Sequence, residues 1–171
     1  VERRRRRTHD TVLATAIDRQ EELDFAKARR DVLSVPDTLN VWEVLAEFQE
    51  QGLLKTEGFE TDTLTFHDPC QLVRRGGVIQ QPRKLMNMVA KNFVEMPDAG
   101  FMNWCCGGGG GASAIEEGEE LRLEAFRKKK SQFEAVKPDR VVTACANCRI
   151  VLEEGLEHYQ MDIPVIGLTE M

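Results

Sequence analysis

The placing of five cysteines narrows the possibilities for this chain of 171 residues more than any other feature. They fall as Cys70, then 34 residues, Cys105-Cys106-Gly107, then 38 residues, Cys145-x-x-Cys148. An odd number with two tight clusters is a poor disulfide framework, because at least one thiol stays unpaired. A C-x-x-C pair puts two sulfurs on one turn, near enough to share a metal or a cluster. An adjacent Cys-Cys pair is rarer. Its side chains diverge in regular structure, so both turn inward only on an irregular loop, or each binds a different metal atom. The glycine run 107–111 directly after the pair supplies that loop, since glycine tolerates positive φ and lets main chain approach a bulky group. N–H groups of Gly107, Gly108 and Gly109, just ahead of a helix, are candidates to stabilise a negatively charged cofactor.

The remaining sequence places these clusters on a recognisable framework. Residues 8–33 read as a helix with an imperfect apolar pattern, ended by Pro36 and Asp37, so residues 1–37 are expected to form an N-terminal helical extension and 38–171 the cysteine-bearing domain. A helix follows over 40–51, with Asn40 and Glu43 at the spacing of a capping box, Trp42 and Phe48 as core and Gly52 as its stop. Strands are predicted over 63–66, 93–96, 140–143 and 163–167, and helices over 83–93, 113–136 and 150–159. Ser113 and Glu116 suggest a second capping box opening the long one. Strands alternating with helices indicate an α/β fold, a parallel sheet with flanking helices. In such sheets, loops at the carboxyl ends of strands line one crevice. All three cysteine clusters follow predicted strands, so they should converge on one sheet edge.

Composition limits what the chain does. Apolar residues make up 42% and charged residues 30%, normal for a folded globular protein. A net charge of −6 argues against a general nucleic-acid binder, despite the basic run Arg3 to Arg7. No stretch approaches the ~18 consecutive apolar residues that span a bilayer. The charged first residues have no apolar run behind them, so no signal peptide is read and a cytoplasmic setting is expected. There, clustered cysteines usually bind metal or do redox chemistry. The chain starts at Val1 and stops just after the last strand, which suggests a piece of something longer.

Several readings of the cysteines compete. Four of the five could hold a tetrahedral Zn²⁺ and stabilise an assembly module, although Cys-Cys is not the usual zinc pattern of separated doublets. A thioredoxin-like dithiol at Cys145 and Cys148 would ignore three cysteines. A phosphate cradle at the glycines lacks the Gly-Lys-Ser/Thr sequence a P-loop needs. His67 is a candidate proton donor or hydrogen-bond donor to a cluster sulfur, against a plainer role in fixing the turn before Pro69. Arg74, Arg75, Arg83 and Lys84 would offset cluster charge or form a solvated helix face. Trp104 is a candidate shield over the cluster, and Lys128, Lys129 and Lys130 read as exposed.

The five cysteines, the glycine after the pair and His67-Asp68-Pro69-Cys70 resemble the CCG cysteine-rich domain of heterodisulfide reductase-like proteins. Asn103-Trp104-Cys105-Cys106 with the glycine run, and Thr143-Ala144-Cys145-Ala146-Asn147-Cys148, are most similar to the DsrK type. This is an iron–sulfur subunit of the membrane complex of dissimilatory sulfur metabolism. The resemblance covers roughly residues 40–171. It implies a [4Fe-4S] cluster, non-cubane in the best-understood members, with Cys70, Cys105, Cys106, Cys145 and Cys148 as ligands and as the catalytic set through it. It further implies thiol–disulfide oxidoreductase chemistry on a disulfide or trisulfide of a DsrC-like sulfur-carrier protein. Electrons would come from a ferredoxin-like domain or subunit. Partner subunits of a membrane complex would hold the chain near the inner face of the membrane. A plain electron relay without substrate is the rival redox reading.

Overall fold

The structure is a computed structural model describing residues 39–55 and 60–171. The extension read over 1–37, with its helix and basic run, lies outside the described residues.

Helix α1 (Val41–Glu50) starts and stops as its sequence directs. Asn40 accepts the Trp42 N–H on its side chain and Glu43 reaches back to the Asn40 N–H, so the capping box forms. At the other end Gly52 takes φ +70°, while its N–H and that of Leu53 close onto Gln49 and Phe48 carbonyls, a Schellman stop. Strand β1 (Glu60–His67) leads through a π-helical turn (Gln71–Arg75) to α2 (Gln80–Val89), which passes directly into β2 (Ala90–Phe93). After a long loop come α3 (Glu119–Val136), β3 (Arg140–Thr143), α4 (Ala146–His158) and β4 (Val165–Gly167). Lys137 closes α3 in the left-handed region at φ 48°, its N–H on the Phe133 carbonyl, and Pro138 prevents continuation.

The four strands form a parallel sheet in the order β2-β1-β3-β4, so the expected α/β class holds. Sequence direction reverses between β1 and β3, which makes their carboxyl ends the switch point where such sheets bind ligands. Side chains alternate across the sheet. Leu64, Phe66 and Val142 enter one core with Trp42, Val73, Ile79 and Met86. Val141 and Val165 enter the other with Phe126, Phe133, Val151 and Leu152. The register pairs Thr65 with Val141 and His67 with Thr143, which puts His67 on this second face, the one covered by α3 and α4. Close packing there is enforced at Gly155. A Cβ at that position would lie 2.2 Å from Phe126 Cδ2, and Phe126 in turn stacks on Tyr159 at 5.8 Å.

Four local expectations need correction, and the first is α4, which starts at Ala146, four residues ahead of the expected 150. Helix α2 begins three residues early, because Pro82 fits within a first helical turn, where its missing N–H has no partner to lose; β2 shifts forward with it. The Ser113–Glu116 capping box does not form. Gly110 and Gly111 take φ +65° and +86°, residues 109–118 make short 3₁₀ turns, and the Ser113 hydroxyl donates to Asn147 Oδ1 instead. Phe48 is 40% exposed and belongs to neither core.

Candidate metal centre

Every cysteine cluster leaves the carboxyl end of the sheet. Cys70 lies three residues beyond β1, Cys105 and Cys106 lie on the loop after β2, and Cys145 is the N-cap of α4 just past β3. The predicted convergence is therefore present. Its physical basis is the parallel arrangement, which sends each connection out on the same side.

Polar staples hold these loops together. The Asp68 carboxylate accepts both Arg83 Nη1 (2.8 Å) and Arg83 Nη2 (2.7 Å), and also the Gly100 N–H at 2.7 Å. Its main-chain oxygen accepts from the Asn103 side chain. Arg74 donates to the Phe101 and Asn103 carbonyls. The turn carrying Cys70 is thus tied to the segment that delivers Cys105 and Cys106. On the far side of the loop, Arg122 donates to the Ala112 and Ile115 carbonyls while pairing with Glu154 of α4. Asn147, within the Cys145–Cys148 turn, donates to the Gly108 carbonyl at 3.2 Å. Sequence reasoning quoted Asp68 and Asn147 within its motifs but gave them no role, and it did not single out Arg122. For Arg122 the available signal was its spacing with Phe126, Lys129 and Phe133 along one stripe of α3.

All five cysteines are free thiols. Cys106 and Cys148 are buried with sulfurs 3.5 Å apart, and a ring nitrogen of His67 lies within 4.8 Å of both. Cys105 accepts the Gly107 N–H at 3.3 Å and interacts with Cys106 and Cys70. Cys145 is half-buried and packs against the same apolar group, beside a cleft of about 200 Å³ lined also by Trp42, Arg149 and Leu168. The glycines behave differently from one another. Gly107, at φ +99°, and Gly108 are hemmed in, since a Cβ on Gly108 would lie 2.6 Å from Val151 Cγ2. A Cβ on Gly109 would meet open space.

The electrostatics of the crowded thiols suit a thiophilic cation. The Cys105 thiol is held far above its usual range, first by its contact with Cys106 and then by burial. The contact with Cys105 lowers Cys106, but contact with Cys148 and burial outweigh it and push Cys106 up to about 11. Sulfurs crowded in this way ionise together only if a metal takes up their charge. His67 is fully buried, with neither ring nitrogen hydrogen-bonded, and burial followed by the nearby Lys129 charge holds it well below its ordinary pKa. The ring therefore does not fix the Pro69 turn by hydrogen bonding. A neutral imidazole with an unused N–H beside two thiols matches a donor to metal-bound sulfur. Soft donors, an unsatisfied N–H and the N-terminal turn of a 13-residue helix carrying Cys148 all fit a sulfur-ligated metal group.

Of the basic residues after Cys70, Arg83 is mostly covered in its ion pair, with Glu95 as a further partner, while Lys84 pairs at the surface with Glu50. Trp104 is 43% exposed, its indole N–H donating to the Ala125 carbonyl at 3.0 Å. Lys128 and Lys130 lie at the surface, but Lys129 does not. It is 1% exposed, overturning its reading as a solvated residue. Among the described residues no helix is long and apolar enough to cross a membrane.

Comparison with known proteins agrees with this geometry. Residues 64–153 match the CCG cysteine-rich domain. The chain is 32% identical over 138 residues to a subunit of the fumarate reductase (CoM/CoB) of Methanothermobacter marburgensis, covering 79% of the chain and 26% of that protein. It is 30% identical over 137 residues to a subunit of the dihydromethanophenazine:CoB–CoM heterodisulfide reductase of Methanosarcina mazei, covering 79% of the chain and 33% of the relative. It is also 32% identical over 104 residues to a probable membrane-anchored ferredoxin of Chromohalobacter salexigens, 61% of the chain and 15% of that protein. The chain thus spans a third or less of the length of these relatives.

Proposed function

Because the chain belongs to the CCG cysteine-rich domain family, we propose that it is the cluster-bearing redox module of a larger heterodisulfide reductase-like oxidoreductase. The observation that carries this is the gathering of buried, unbridged thiols around His67 at the switch point of the sheet. Cys70, Cys105, Cys106, Cys145 and Cys148 would hold an iron–sulfur cluster of the [4Fe-4S] class, non-cubane by its resemblance to the family. When bound, such a cluster supplies one-electron transfer and a site for opening a sulfur–sulfur bond.

The chain's own residues do the rest. His67, neutral and buried, would donate its unused N–H to cluster sulfur. Gly107 and Gly108 let main chain close over it, and the Gly107 N–H already points at Cys105 Sγ. Asp68, Arg74 and Arg122 fix the loops so that the five sulfurs keep their spacing. Cys145 faces the cleft beside Arg149, a natural approach for a disulfide-bearing substrate. In this reading the substrate is a disulfide or trisulfide of a DsrC-like carrier protein in dissimilatory sulfur metabolism. Electrons come from a ferredoxin-like domain or subunit, and membrane-complex partners keep the chain on the cytoplasmic side of a membrane. A pure relay would need no such cleft.

Metal content tests the reading. The full chain reconstituted without oxygen should bind about four irons and four sulfides. The close grouping of His67, Cys106 and Cys148 favours one other outcome, a single zinc without sulfide, and that result would replace the redox account with a structural one. If the cluster is present, adding a disulfide substrate under oxidising conditions should perturb its paramagnetic signal; an unperturbed signal would leave the relay.

A further inference from the structure

Lys129 is the residue for which the site described so far has no use. It lies on α3, 1% exposed, between the apolar Phe126 and Phe133 on the same stripe. Among the described residues its ammonium makes one hydrogen bond, to Gln132 Oε1 at 2.7 Å, and no ion pair. An ammonium carries three donors, so two are unmet. Gln132 is itself buried and anchored, its amide nitrogen donating to the Pro97 carbonyl at 2.5 Å and to Asp98 Oδ2 at 3.3 Å. The lysine is therefore held in place by a fixed acceptor rather than trailing through the core toward solvent.

A buried cation without a contacting anion is costly, so its retention calls for a compensating negative group. The groups that act on Lys129 electrostatically are Asp68, Cys106, Cys105 and Cys148, in that order. Asp68 is already committed to Arg83 and the Gly100 N–H. The other three are thiols of the metal centre. Burial holds the lysine pKa down at about 8 against these attractions, so it is still largely protonated at neutral pH. The same charge also reaches His67.

We propose that Lys129 is a built-in counter-charge for the metal centre, a buried cation positioned by Gln132 that stabilises the more negative, reduced state of a cluster held by Cys105, Cys106 and Cys148. The inference rests on the cluster reading above and adds to it a residue that sets the potential without ligating. Lys129 is a positioning charge, not a catalytic residue. It makes two physical demands. With the cluster bound, removing the charge must make reduction harder. With the cluster absent, removing the charge must relieve an uncompensated burial.

The test compares full-length wild type, Lys129→Met and Lys128→Met. Methionine keeps most of the buried aliphatic length, and Lys128 offers the same formal charge half-exposed one residue away. Iron and sulfide are measured first, then the midpoint potential by titration followed by electron paramagnetic resonance. Lys129→Met should show at least a tenfold smaller equilibrium constant for one-electron reduction, about 59 mV to lower potential, while Lys128→Met stays at the wild-type value. Thermal unfolding of the cluster-free proteins gives the second readout, in which Lys129→Met should melt no lower than wild type. A loaded Lys129→Met cluster at wild-type potential overturns the proposal, and so does a cluster-free variant that melts lower or fails to fold. Lack of iron and sulfide in the wild type would instead sink the cluster reading itself, and the lysine's role with it.

Discussion

The two faces of the sheet are built on opposite principles. The core on the face covered by α1 and α2 is apolar, with Leu64, Phe66 and Val142 packed on Val73, Ile79 and Met86. The face covered by α3 and α4 buries Thr65, His67, Thr143, Lys129 and Gln132 among its hydrophobes, together with Cys106 and Cys148. Polar groups in a core cost stability unless they are partnered, and on this face neither His67 nitrogen is partnered. One face supplies the stability of the domain, and the other spends part of it on keeping reactive groups poised. The difference teaches where to look for function in an α/β sheet. The informative face is the one whose core breaks the apolar rule.

Phe66→Ala would strike the apolar face hardest. Removing a fully buried phenylalanine, over whose ring the Arg83 guanidinium also sits at 5.7 Å, should cost about 3–5 kcal/mol in a urea titration. Iron bound per folded molecule should stay constant. A parallel loss of iron would show that the faces are not separable.

Asp68→Ala acts at the seam between the faces. Breaking a buried ion pair from one side typically costs about 3 kcal/mol or somewhat more, and the Gly100 N–H and Arg83 would both lose their acceptor. Here stability and iron retention should fall together, the reverse of the Phe66 result. If iron uptake is unchanged, the loops are held by something other than this staple.

The pH profile of the cluster-free chain sharpens the contrast without mutation. His67 titrates near 6.5 when unfolded and well below that when folded, so stability should shrink as the pH falls below about 6.5. Cys106 titrates near 9.0 unfolded and about 11 folded, so stability should also shrink as the pH rises from 9 to 11. Lys129, shifted from 10.5 down to about 8, adds stability over part of that range and blunts the alkaline loss. The acid limb should appear in wild-type melting temperatures taken from pH 5 to 10, and the alkaline limb in Lys129→Met, where the lysine's offset is gone. Filling the metal site should flatten the alkaline one.

The smallest effect belongs to neither face. Glu134→Ala removes the exposed i,i+4 partner of Lys130 and should change stability by less than about 0.5 kcal/mol. A larger change by chemical denaturation would mean that the outer surface of α3 takes part in the fold.

The sequence made the framework and the metal centre legible to different degrees. Helix α1 could be read almost to the residue because its signals are local, a capping box and a glycine stop. Convergence of the cysteine loops was also legible, since it follows from strand order alone. The start of α2 was missed because the apolar pattern marks the helix only from residue 83, whereas Pro82 lies inside its first turn. The start of α3 was missed because the Ser113 hydroxyl is bound by Asn147, which is 34 residues away in sequence. Lys129 was hidden by its neighbours, as three successive lysines look like a solvated face. Only the spacing from Phe126 and Phe133 shows that the middle one points inward. Local chemistry was readable, and long-range polar partners were not.

The pairing of β1 directly with β3 has a further consequence, for the order of events during synthesis. Thr143 donates to the His67 carbonyl across 76 positions of sequence, and Asp139 accepts the Thr63 N–H over the same separation. Contacts of such range form late. Until the ribosome has released residues well beyond Cys148, the strands that aim Cys70 and Cys145 at each other cannot pair, and the thiols of a half-made chain face the solvent singly. A metal group held by all three loops would therefore be taken up only after β3 and Cys148 have been made. An encounter with iron and sulfide, or with an oxidant, before the sheet closes would find scattered cysteines instead of a nest.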